Sequence, residues 1–425
     1  MKYNWTISVP ALSLFAALAM QAGLRAQEQP AIQQSKATPP RYTVTDLGTL
    51  GGTYSFPGGI NNEGWVNGTS TLPGDTDQHA VLWVPGQKNP IDLQTLGGPN
   101  SGSLFGLNGR GQVAGAAETS DLNPYGYEFC SFLGFTDTHN CLPFIWRQGV
   151  MTKLPIVGGY NGSAQQANNF GQVAGGSENS TPDPSCLPSV VLEQTPVIWE
   201  NSKVVPLALI PGDVNGFAFS INDLGQAIGY SGAGLCASLT SQIAHNVLWH
   251  NGKIVQIDLS GLPGGASGLP SQINNRGQVA GFSGVPPGLG GQAYLWENGH
   301  TRGLGVVYGT SSAAFGINIE GQIVGQSCVD ATGECHAFLW SNGNMADLDS
   351  VIPGSVAAVG INDLGQITGA LVTSAGELHA FLATPAHGGT DDESFAVDAR
   401  GVPSPMRLSE NVRKLLRGRF GTRGR

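Results

Sequence analysis

The sequence has little charge and lacks the short motifs of the common enzyme classes. Charged residues make up 12% of the 425-residue chain, about half of the roughly 25% found in an average protein. No G-x-S-x-G elbow, H-E-x-x-H pair or P-loop occurs, so the chemistries that depend on those motifs have no signature here. The net charge of −10 argues against nucleic-acid binding by the folded body. The sequence therefore identifies no catalytic residue, no metal ligand and no cofactor.

Long apolar runs are also scarce. The run at residues 7–20 is too short to span a membrane comfortably. Lys2 precedes it and Ala26 offers a cleavage point, so residues 1–26 are predicted to be a secretory signal. The alternative is a retained N-terminal anchor. We expect a secreted, periplasmic or cell-surface protein with no transmembrane segment after signal cleavage.

Glycine, by contrast, is abundant at 63 residues, and one glycine-bearing stretch organises the chain. The stretch INNRGQVAG, residues 273–281, predicts a tight β-hairpin. Asn274 opens a type I turn, where its side chain can bond to the backbone two residues on. Gly277 takes the positive-φ position that closes such a turn, which would cost a residue with a Cβ about 1–2 kcal/mol.

This hairpin recurs seven times, at spacings of 44 to 60 residues. Such a period, with insertions, is typical of an array of supersecondary units. Every copy keeps an asparagine at the turn start and a glycine three residues later. These turn residues are Asn61 and Gly64, Asn108 and Gly111, Asn168 and Gly171, Asn222 and Gly225, Asn274 and Gly277, Asn318 and Gly321, and Asn362 and Gly365.

A third strand follows each hairpin, and in six copies it ends in tryptophan. A side chain fixed by the repeat faces the same way in every unit, so this column is expected to pack between units. The alternative is a ligand platform. The tryptophans are Trp83, Trp146, Trp199, Trp249, Trp296 and Trp340. Histidine begins the same strand at His79, His245, His336 and His379, where structural hydrogen bonds are expected.

Four short strands per unit predict an all-β fold, a β-propeller with seven four-stranded blades. The last unit lacks a fourth strand, and the segment 41–50 reads as a strand without a unit. Placing this segment in the last blade closes the ring and protects the edge strands. An open stack is the alternative, and it would need capping units.

The predicted domains follow from this arrangement. Residues 27–40 are a linker, residues 41–385 the propeller, and residues 386–408 a flexible linker. Residues 409–425 form a basic tail that can include a short helix. The tail is either a solvated end or a segment that contacts an anionic surface.

All six cysteines lie between a hairpin and the next third strand, which places them on one face of the ring. An even number behind a signal sequence favours disulfides. The candidate disulfide residues are Cys130, Cys141, Cys186, Cys236, Cys328 and Cys335. Cys130 with Cys141 and Cys328 with Cys335 are local pairs, and Cys186 with Cys236 would link adjacent blades.

The same connections hold long insertions at residues 116–141, 176–194 and 230–244. Long loops on a rigid scaffold commonly carry binding sites. Aromatic residues cluster in the first insertion, and they make it the candidate binding loop. They are Tyr125, Tyr127, Phe129, Phe132 and Phe135. The alternative is loop variation without a function.

The hairpin and the third strand together resemble the HAF-repeat family, described as probable extracellular repeat proteins of bacteria. The family is named after the tripeptide His-Ala-Phe, which occurs in full at residues 336–338 and 379–381. The stretches INNRGQVAG and INDLGQITG fit the hairpin part of the repeat. The resemblance covers residues 41–385, although blades two, three and five lack the histidine of the tripeptide. It implies an exported β-rich repeat protein and supplies no catalytic residues.

These observations favour a secreted or cell-surface, non-enzymatic repeat protein. It would bind a protein or glycan through the disulfide-bearing insertion loops on one face. One alternative is an extracellular carbohydrate-active hydrolase or lyase with its site in the central channel. The other is a structural component of the cell envelope.

Overall fold

The structure is a computed structural model, which describes residues 39–235, 244–265, 268–284, 290–330 and 332–386. The predicted signal sequence, nearly all of the linker before the ring, and the predicted linker and basic tail from residue 387 onward lie outside the described residues. Within the described part of the chain, no helix has the length and hydropathy needed to cross a membrane.

The chain forms seven antiparallel sheets of four strands each. The N-terminal strand is β1 (Tyr42–Asp46). Blade one contains β2 (Ser55–Ile60), β3 (Val66–Thr71), β4 (Gln78–Trp83) and β5 (Ile91–Asp92). Blade two contains β6 (Gly97–Gly102), β7 (Val113–Leu122), β8 (His139–Arg147) and β9 (Val150–Lys153). Blade three contains β10 (Gly162–Ala167), β11 (Val173–Pro182), β12 (Leu192–Glu200) and β13 (Lys203–Pro206).

The later blades repeat this order. Blade four contains β14 (Asn215–Ile221), β15 (Ala227–Gly232), β16 (Ala244–His250) and β17 (Lys253–Ile257). Blade five contains β18 (Gly268–Ile273), β19 (Val279–Ser283), β20 (Ala293–Glu297) and β21 (His300–Gly305). Blade six contains β22 (Ser311–Ile317), β23 (Ile323–Val329), β24 (Glu334–Ser341) and β25 (Asn344–Asp347). Blade seven contains β26 (Ser355–Ile361), β27 (Ile367–Val372) and β28 (Leu378–Pro385).

Strand β1 completes blade seven. It pairs antiparallel with β28, from Tyr42 opposite Pro385 to Asp46 opposite Phe381. The prediction of a seven-bladed propeller closed by the N-terminal strand is confirmed. Two short 3₁₀ helices, Phe129–Leu133 and Pro184–Cys186, lie in the connections between second and third strands of blades two and three.

Each repeated hairpin joins the first and second strands of its blade, and Asn274 shows how its asparagine is used. Asn274 Oδ1 accepts hydrogen bonds from the backbone amides of Arg276 and Gln278, both at 3.0 Å. Its Nδ2 donates to Gln278 Oε1 at 2.7 Å. Gly277 has a φ of 77°, which is the left-handed conformation that the turn requires.

The same asparagines also link the blades into a ring. Asn274 Nδ2 donates a second bond, of 2.9 Å, to the carbonyl oxygen of Asn318 in the next blade. The pattern repeats at every blade boundary and returns from Asn362 to Asn61. Each of these asparagines is buried, and five of the seven side chains make four such bonds, whereas Asn61 and Asn318 make three. The repeated asparagine therefore both turns the chain and joins neighbouring blades.

The tryptophan column packs between blades. Trp83 belongs to a buried cluster with Ala380 of blade seven, and Trp146 to a cluster with Leu82 of blade one. Trp199 and Trp249 likewise pack with Ala114 and Ala174 of their preceding blades. Trp296 and Trp340 follow the same pattern with residues of blades four and five. All six side chains are buried, so they lie in the interior of the ring.

Candidate functional site

One end of the ring carries all the connections between second and third strands, and we call it the loop face. It includes residues 72–77, 123–138 and 183–191 of the first three blades. The repeated hairpins lie at the opposite end, because each strand reverses the direction of the one before it. Any site built from the variable parts of the chain therefore lies on the loop face.

Two disulfides hold connections on this face. Cys130 bonds to Cys141, and Cys328 bonds to Cys335, as predicted from the sequence. Cys186 is also disulfide-bonded. Cys236, its predicted partner, lies outside the described residues.

The aromatic residues predicted as a binding loop belong mostly to the core. Tyr127 is 4% exposed, and three phenylalanines are buried beside it, namely Phe129, Phe132 and Phe135. They form one buried cluster with Phe56, Phe217 and Phe315 of blades one, four and six. The prediction that all five aromatics form a surface is corrected, because the insertion folds inward and buries its own apolar side chains. Tyr125 alone among them is exposed.

This packing also bears on the predicted channel site. The inward-folded aromatics contact first-strand residues of several blades, and those strands lie around the centre of the ring. The insertion of blade two thus shares a buried apolar cluster with the inner strands. The described geometry favours a site at the edge of this insertion over one inside the channel.

The histidines that begin the third strands each pair with an aspartate, which lies in the same blade or, for His245, in the connection that leads into it. His79 Nδ1 lies 2.9 Å from Asp92, and His336 Nδ1 lies 2.9 Å from Asp347. His245 and His379 have the same kind of partner, Asp213 and Asp46. Because the pairs are repeated around the ring and not convergent, they are structural.

A different cluster of polar side chains lies at the edge of the insertion of blade two. Glu118 near the end of β7, Asp137 in the connection and His139 at the start of β8 place one ligand atom each within 4.8 Å of one another. We call these three residues the carboxylate–imidazole cluster. Glu118 is 1% exposed, whereas the side chains of Asp137 and His139 are 33% and 25% exposed. The cluster therefore has a buried base and an open side.

Asn100 positions the buried carboxylate. Its backbone amide and its Nδ2 donate to Glu118 Oε2 at 3.0 and 2.8 Å, and Nδ2 also reaches Asp137 Oδ2 at 3.1 Å. The backbone amide of His139 donates to Asp137 Oδ1 at 3.1 Å. Nδ1 of His139 lies 2.9 Å from the same oxygen, yet this buried nitrogen forms no hydrogen bond among the described residues. The imidazole thus faces the carboxylates through Nδ1.

The pKa values of Glu118 and Asp137 shift in opposite directions, although the two side chains are hydrogen-bonded to each other. Burial, together with the neighbouring Asp137, raises the pKa of Glu118 to about 9. Burial opposes the ionisation of Asp137, but hydrogen bonds from Glu118 and His139 hold its pKa below the ordinary value. Two carboxyl groups in contact cannot both ionise readily without a positive charge between them. The site is accordingly suited to a proton or to a cation.

Blade three supplies an internal comparison, because Glu178 occupies the position of Glu118. Glu178 Oε2 accepts from the amides of Tyr160 and Asn161, each at 2.9 Å. Its Oε1 accepts from Asn161 Nδ2 at 3.0 Å and from the hydroxyl of Tyr127. Donors therefore surround Glu178, whereas Glu118 faces a second carboxyl group and an imidazole. The same position has donors around both carboxylate oxygens in blade three, and a carboxyl group and an imidazole beside it in blade two.

Sequence reasoning misses this cluster. Glutamate stands ten residues after the hairpin asparagine in blades two and three, where the other blades have Thr71, Gly232, Gly284, Cys328 and Val372. That substitution in a repeat is a signal that could have pointed to Glu118. Its partners lie in an irregular connection, and no ligand spacing in the chain marks them.

Known proteins share the fold and little else with this chain. No family model matches it, and no curated protein matches it. The β-propeller domain of the Trilobed protease from Pyrococcus furiosus is 11% identical over 69% of this chain and 98% of its own, with a TM-score of 0.36. A gluconolactonase from Xanthomonas campestris is 11% identical over 85% of this chain and 99% of its own, with a TM-score of 0.33.

A prolyl endopeptidase is also similar, at 11% identity, with a TM-score of 0.47. The match covers 82% of this chain and 51% of the endopeptidase, so the chain spans about half of that protein's length. The prediction of a non-enzymatic scaffold is not retained: the similar solved structures include a gluconolactonase and peptidases with propeller domains, nothing in them shows a non-enzymatic scaffold, and their likeness to this chain shows the fold alone. The chemistry of this chain has to be argued from its own residues.

Proposed function

We propose that the protein is a divalent-cation-dependent hydrolase whose site is the carboxylate–imidazole cluster. The observation that carries the proposal is the contrast between two equivalent glutamates. Glu178 is satisfied by hydrogen-bond donors, whereas Glu118 meets Asp137 and His139. A buried polar group normally has its partners within the protein. Glu118 accepts two hydrogen bonds from Asn100 and is hydrogen-bonded to Asp137, and a cation would take the place of the proton between the two carboxyl groups.

The donor set fits a borderline or hard divalent cation. Two carboxylates and one imidazole are ligands that zinc and manganese accept, and thiolates are absent from the set. Three protein ligands leave further coordination positions open, which is the arrangement of catalytic and not of closed structural sites. The exposed side of Asp137 and His139 is where those positions would face.

The residues around the site would have two roles, to position the ligand atoms and to bind the cation. Asn100 fixes Glu118, and the amide of His139 fixes Asp137, so the ligand atoms are held before anything binds. A divalent cation bound there would polarise a substrate oxygen and acidify water. In the hydrolysis, the oxygen of water bonds to the electrophilic carbon of the substrate. The bond from that carbon to the leaving group breaks, and the leaving group takes up a proton.

Cation binding is the first test, and it can be read without a substrate. The purified protein, depleted of metal by chelation, would be titrated with Mn²⁺, Zn²⁺, Ca²⁺ and Mg²⁺ by calorimetry and by thermal unfolding. We expect at least one cation to bind and to raise the unfolding temperature. The Asp137→Asn variant should weaken that binding on the order of 100-fold. Asp121→Asn, which removes an exposed charge from the same insertion, should leave it unchanged.

Hydrolysis is the second test. A panel of chromogenic esters, amides and glycosides would be incubated with the protein, with and without the cation found in the titration. Turnover that requires the cation and is lost in Asp137→Asn supports the proposal. A cation affinity equal in the wild type and in Asp137→Asn would overturn it, and so would wild-type protein that binds none of the four cations.

We also propose that the protein is exported and belongs to the HAF-repeat family, on observations independent of the cluster. A signal-like segment at residues 1–26 and two disulfides in the described ring support a secreted, periplasmic or cell-surface location, because disulfides persist in oxidising compartments. The HAF-like repeats support membership of that bacterial repeat family. Expression with the native N-terminus, followed by N-terminal sequencing of extracytoplasmic protein, would test cleavage after Ala26. Full-length protein retained inside the cell would count against it.

A further inference from the structure

Two exposed tyrosines lie beside the carboxylate–imidazole cluster. Tyr125 of the blade-two insertion is 44% exposed, and Tyr160, in the segment before β10, is 39% exposed. Their ring centroids lie 5.8 Å apart with an interplanar angle of 77°. This edge-to-face pair belongs to two different blades, so it forms a junction on the loop face.

Short hydrogen bonds tie Tyr125 to the cluster. Its backbone amide donates to Asn123 Oδ1 at 2.9 Å. The amide of Asn123 in turn donates to the carbonyl oxygen of Thr138 at 2.7 Å. Thr138 stands between Asp137 and His139 in the chain. Tyr125 is thus one side-chain contact away from the segment that carries two of the three cluster residues.

Tyr160 is held from the other side. Its amide donates to the buried Glu178. The next residue, Asn161, accepts a 2.9 Å bond from the amide of Cys141, and Cys141 lies directly opposite Glu118 in the sheet. Tyr125 is therefore linked to the segment that carries Asp137 and His139, and Tyr160 is linked through Asn161 to the strand partner of Glu118, while both tyrosines remain partly exposed.

Tyr125 differs in exposure from the other aromatic residues of its insertion. The neighbouring aromatics Tyr127, Phe129 and Phe132 turn inward and are buried. Leu122 and Val157, which are exposed on the same two segments, extend the apolar character around the pair. An exposed aromatic surface beside a polar cluster is typical of a binding site and not of a core.

We propose that Tyr125 and Tyr160 form a subsite for a sugar ring, which places a carbohydrate substrate against the carboxylate–imidazole cluster. A pyranose has an apolar face of C–H groups that packs on an aromatic ring, and a rim of hydroxyl groups that hydrogen-bonds to carboxylates and phenols. Tyrosine combines an apolar ring with a polar tip. The ring pair and the adjacent carboxylates match both sides of such a substrate. This inference rests on the proposed function, because it names the substrate class of the same site.

The inference is tested with soluble oligosaccharides. Cellohexaose, xylohexaose, maltohexaose, chitohexaose and an oligogalacturonate would be titrated against the full chain by calorimetry, with and without the cation. We expect at least one to bind. Tyr125→Ala and Tyr160→Ala should each weaken that binding about 10-fold or more, while Tyr125→Phe, which keeps the ring, should retain most of it. Tyr308→Ala removes a half-buried tyrosine in the segment before β22, which stacks on His336 of blade six, and serves as the control.

The outcomes separate this inference from the proposed function. Cation affinity is measured in the same tyrosine variants and should not change, so a loss confined to sugar binding identifies a substrate subsite. Binding that is equal in Tyr125→Ala and Tyr308→Ala would overturn the subsite and leave the cation site standing. Wild-type protein that binds the cation and none of the five sugars would also overturn the subsite and leave the cation site standing. Failure of cation binding in the wild type would instead overturn the proposed function, whatever the sugars do.

Discussion

Nδ2 of Asn362 donates a 2.9 Å hydrogen bond to the carbonyl oxygen of Asn61, which lies 301 residues earlier in the chain. This bond is the last of a closed series that passes from each repeated hairpin to the next. It shows that ring closure is built into the repeated motif as well as into the pairing of β1 with β28. The bonds between hairpin asparagines and the pairing of β1 with β28 can be tested separately by mutation.

Replacing Asn362 by alanine should lower the free energy of unfolding by about 2–4 kcal/mol, because four hydrogen bonds of a buried side chain are lost. Asn61→Ala should cost less. Trp65 replaces the usual glutamine in that hairpin, and Asn61 makes one bond fewer. Urea unfolding gives both values, with the exposed Asn344→Ala as control. Equal losses for Asn61 and Asn362 would contradict this account.

The pairing of β1 with β28 should depend on pH through His379 and Asp46. The hydrogen bond with Asp46 raises the pKa of His379 above 6.5. Burial opposes the ionisation of Asp46, but its bond with His379 lowers its pKa below 3.8. The histidine's contribution to stability is present below pH 6.5 and is lost as the pH rises through its folded pKa. The aspartate's contribution is present above pH 3.8 and is lost as the pH falls through its folded pKa.

We therefore expect this pair to stabilise the ring most between pH 3.8 and 6.5. Asp46→Asn should reduce the loss of stability that the wild type shows between pH 5.5 and 8.5. Urea midpoints at the two pH values measure the difference. His300→Gln, at an exposed histidine of blade five, is the control. An unchanged pH dependence in Asp46→Asn would show that the pair does not contribute.

The second glycine of the repeated motif should tolerate no side chain. A Cβ on Gly325 would lie 2.0 Å from the carbonyl oxygen of Ala313 and 2.8 Å from the ring of Phe338. Gly325→Ala should therefore destabilise the protein by about 1–3 kcal/mol through overpacking. Gly261→Ala is the matched control, because a Cβ there meets nothing within 4 Å. Thermal unfolding of the two variants distinguishes a packing effect from a general glycine effect.

The two described disulfides should differ in their effect on the candidate site. Each closes a short loop, so replacing either pair by serine should cost about 2–3 kcal/mol. The loop between Cys130 and Cys141 contains Asp137 and His139, and its loss should also weaken cation binding. Loss of the Cys328–Cys335 bond should leave cation affinity unchanged. If both double variants bound the cation as the wild type does, the first disulfide would have no role in shaping the site.

The repeated parts of the fold could be predicted from the sequence because local physics determines them. Asn274 and Gly277 specify a turn, the Trp296 position specifies a buried face, and the period specifies a ring. The role of Asn274 in joining blades was not predictable in the same way. Its second acceptor, the carbonyl oxygen of Asn318, becomes a neighbour only when the blades assemble.

The candidate site was not predicted, and the reason lies in the insertion of blade two. The repeat sets the position of Glu118 in its strand. Asp137 and His139 reach it through an irregular segment, and the path of that segment depends on the packing of its own aromatic side chains. The same packing explains why Phe129 and Phe132 were wrongly expected at the surface. They are apolar residues of a connection long enough to bury them, and composition alone does not reveal that.

The closing strand has a consequence for how the protein is made. Tyr42–Asp46 is synthesised before any blade, yet its partner β28 ends at Pro385, near the end of the ring. The first strand to emerge is therefore the last to be paired, and every shorter nascent chain has an unpaired strand at each end. Unpaired strand edges invite association with other chains. Only the finished ring protects its strand edges from aggregation. The nascent chain should therefore need chaperones until residue 385 is available to pair with β1.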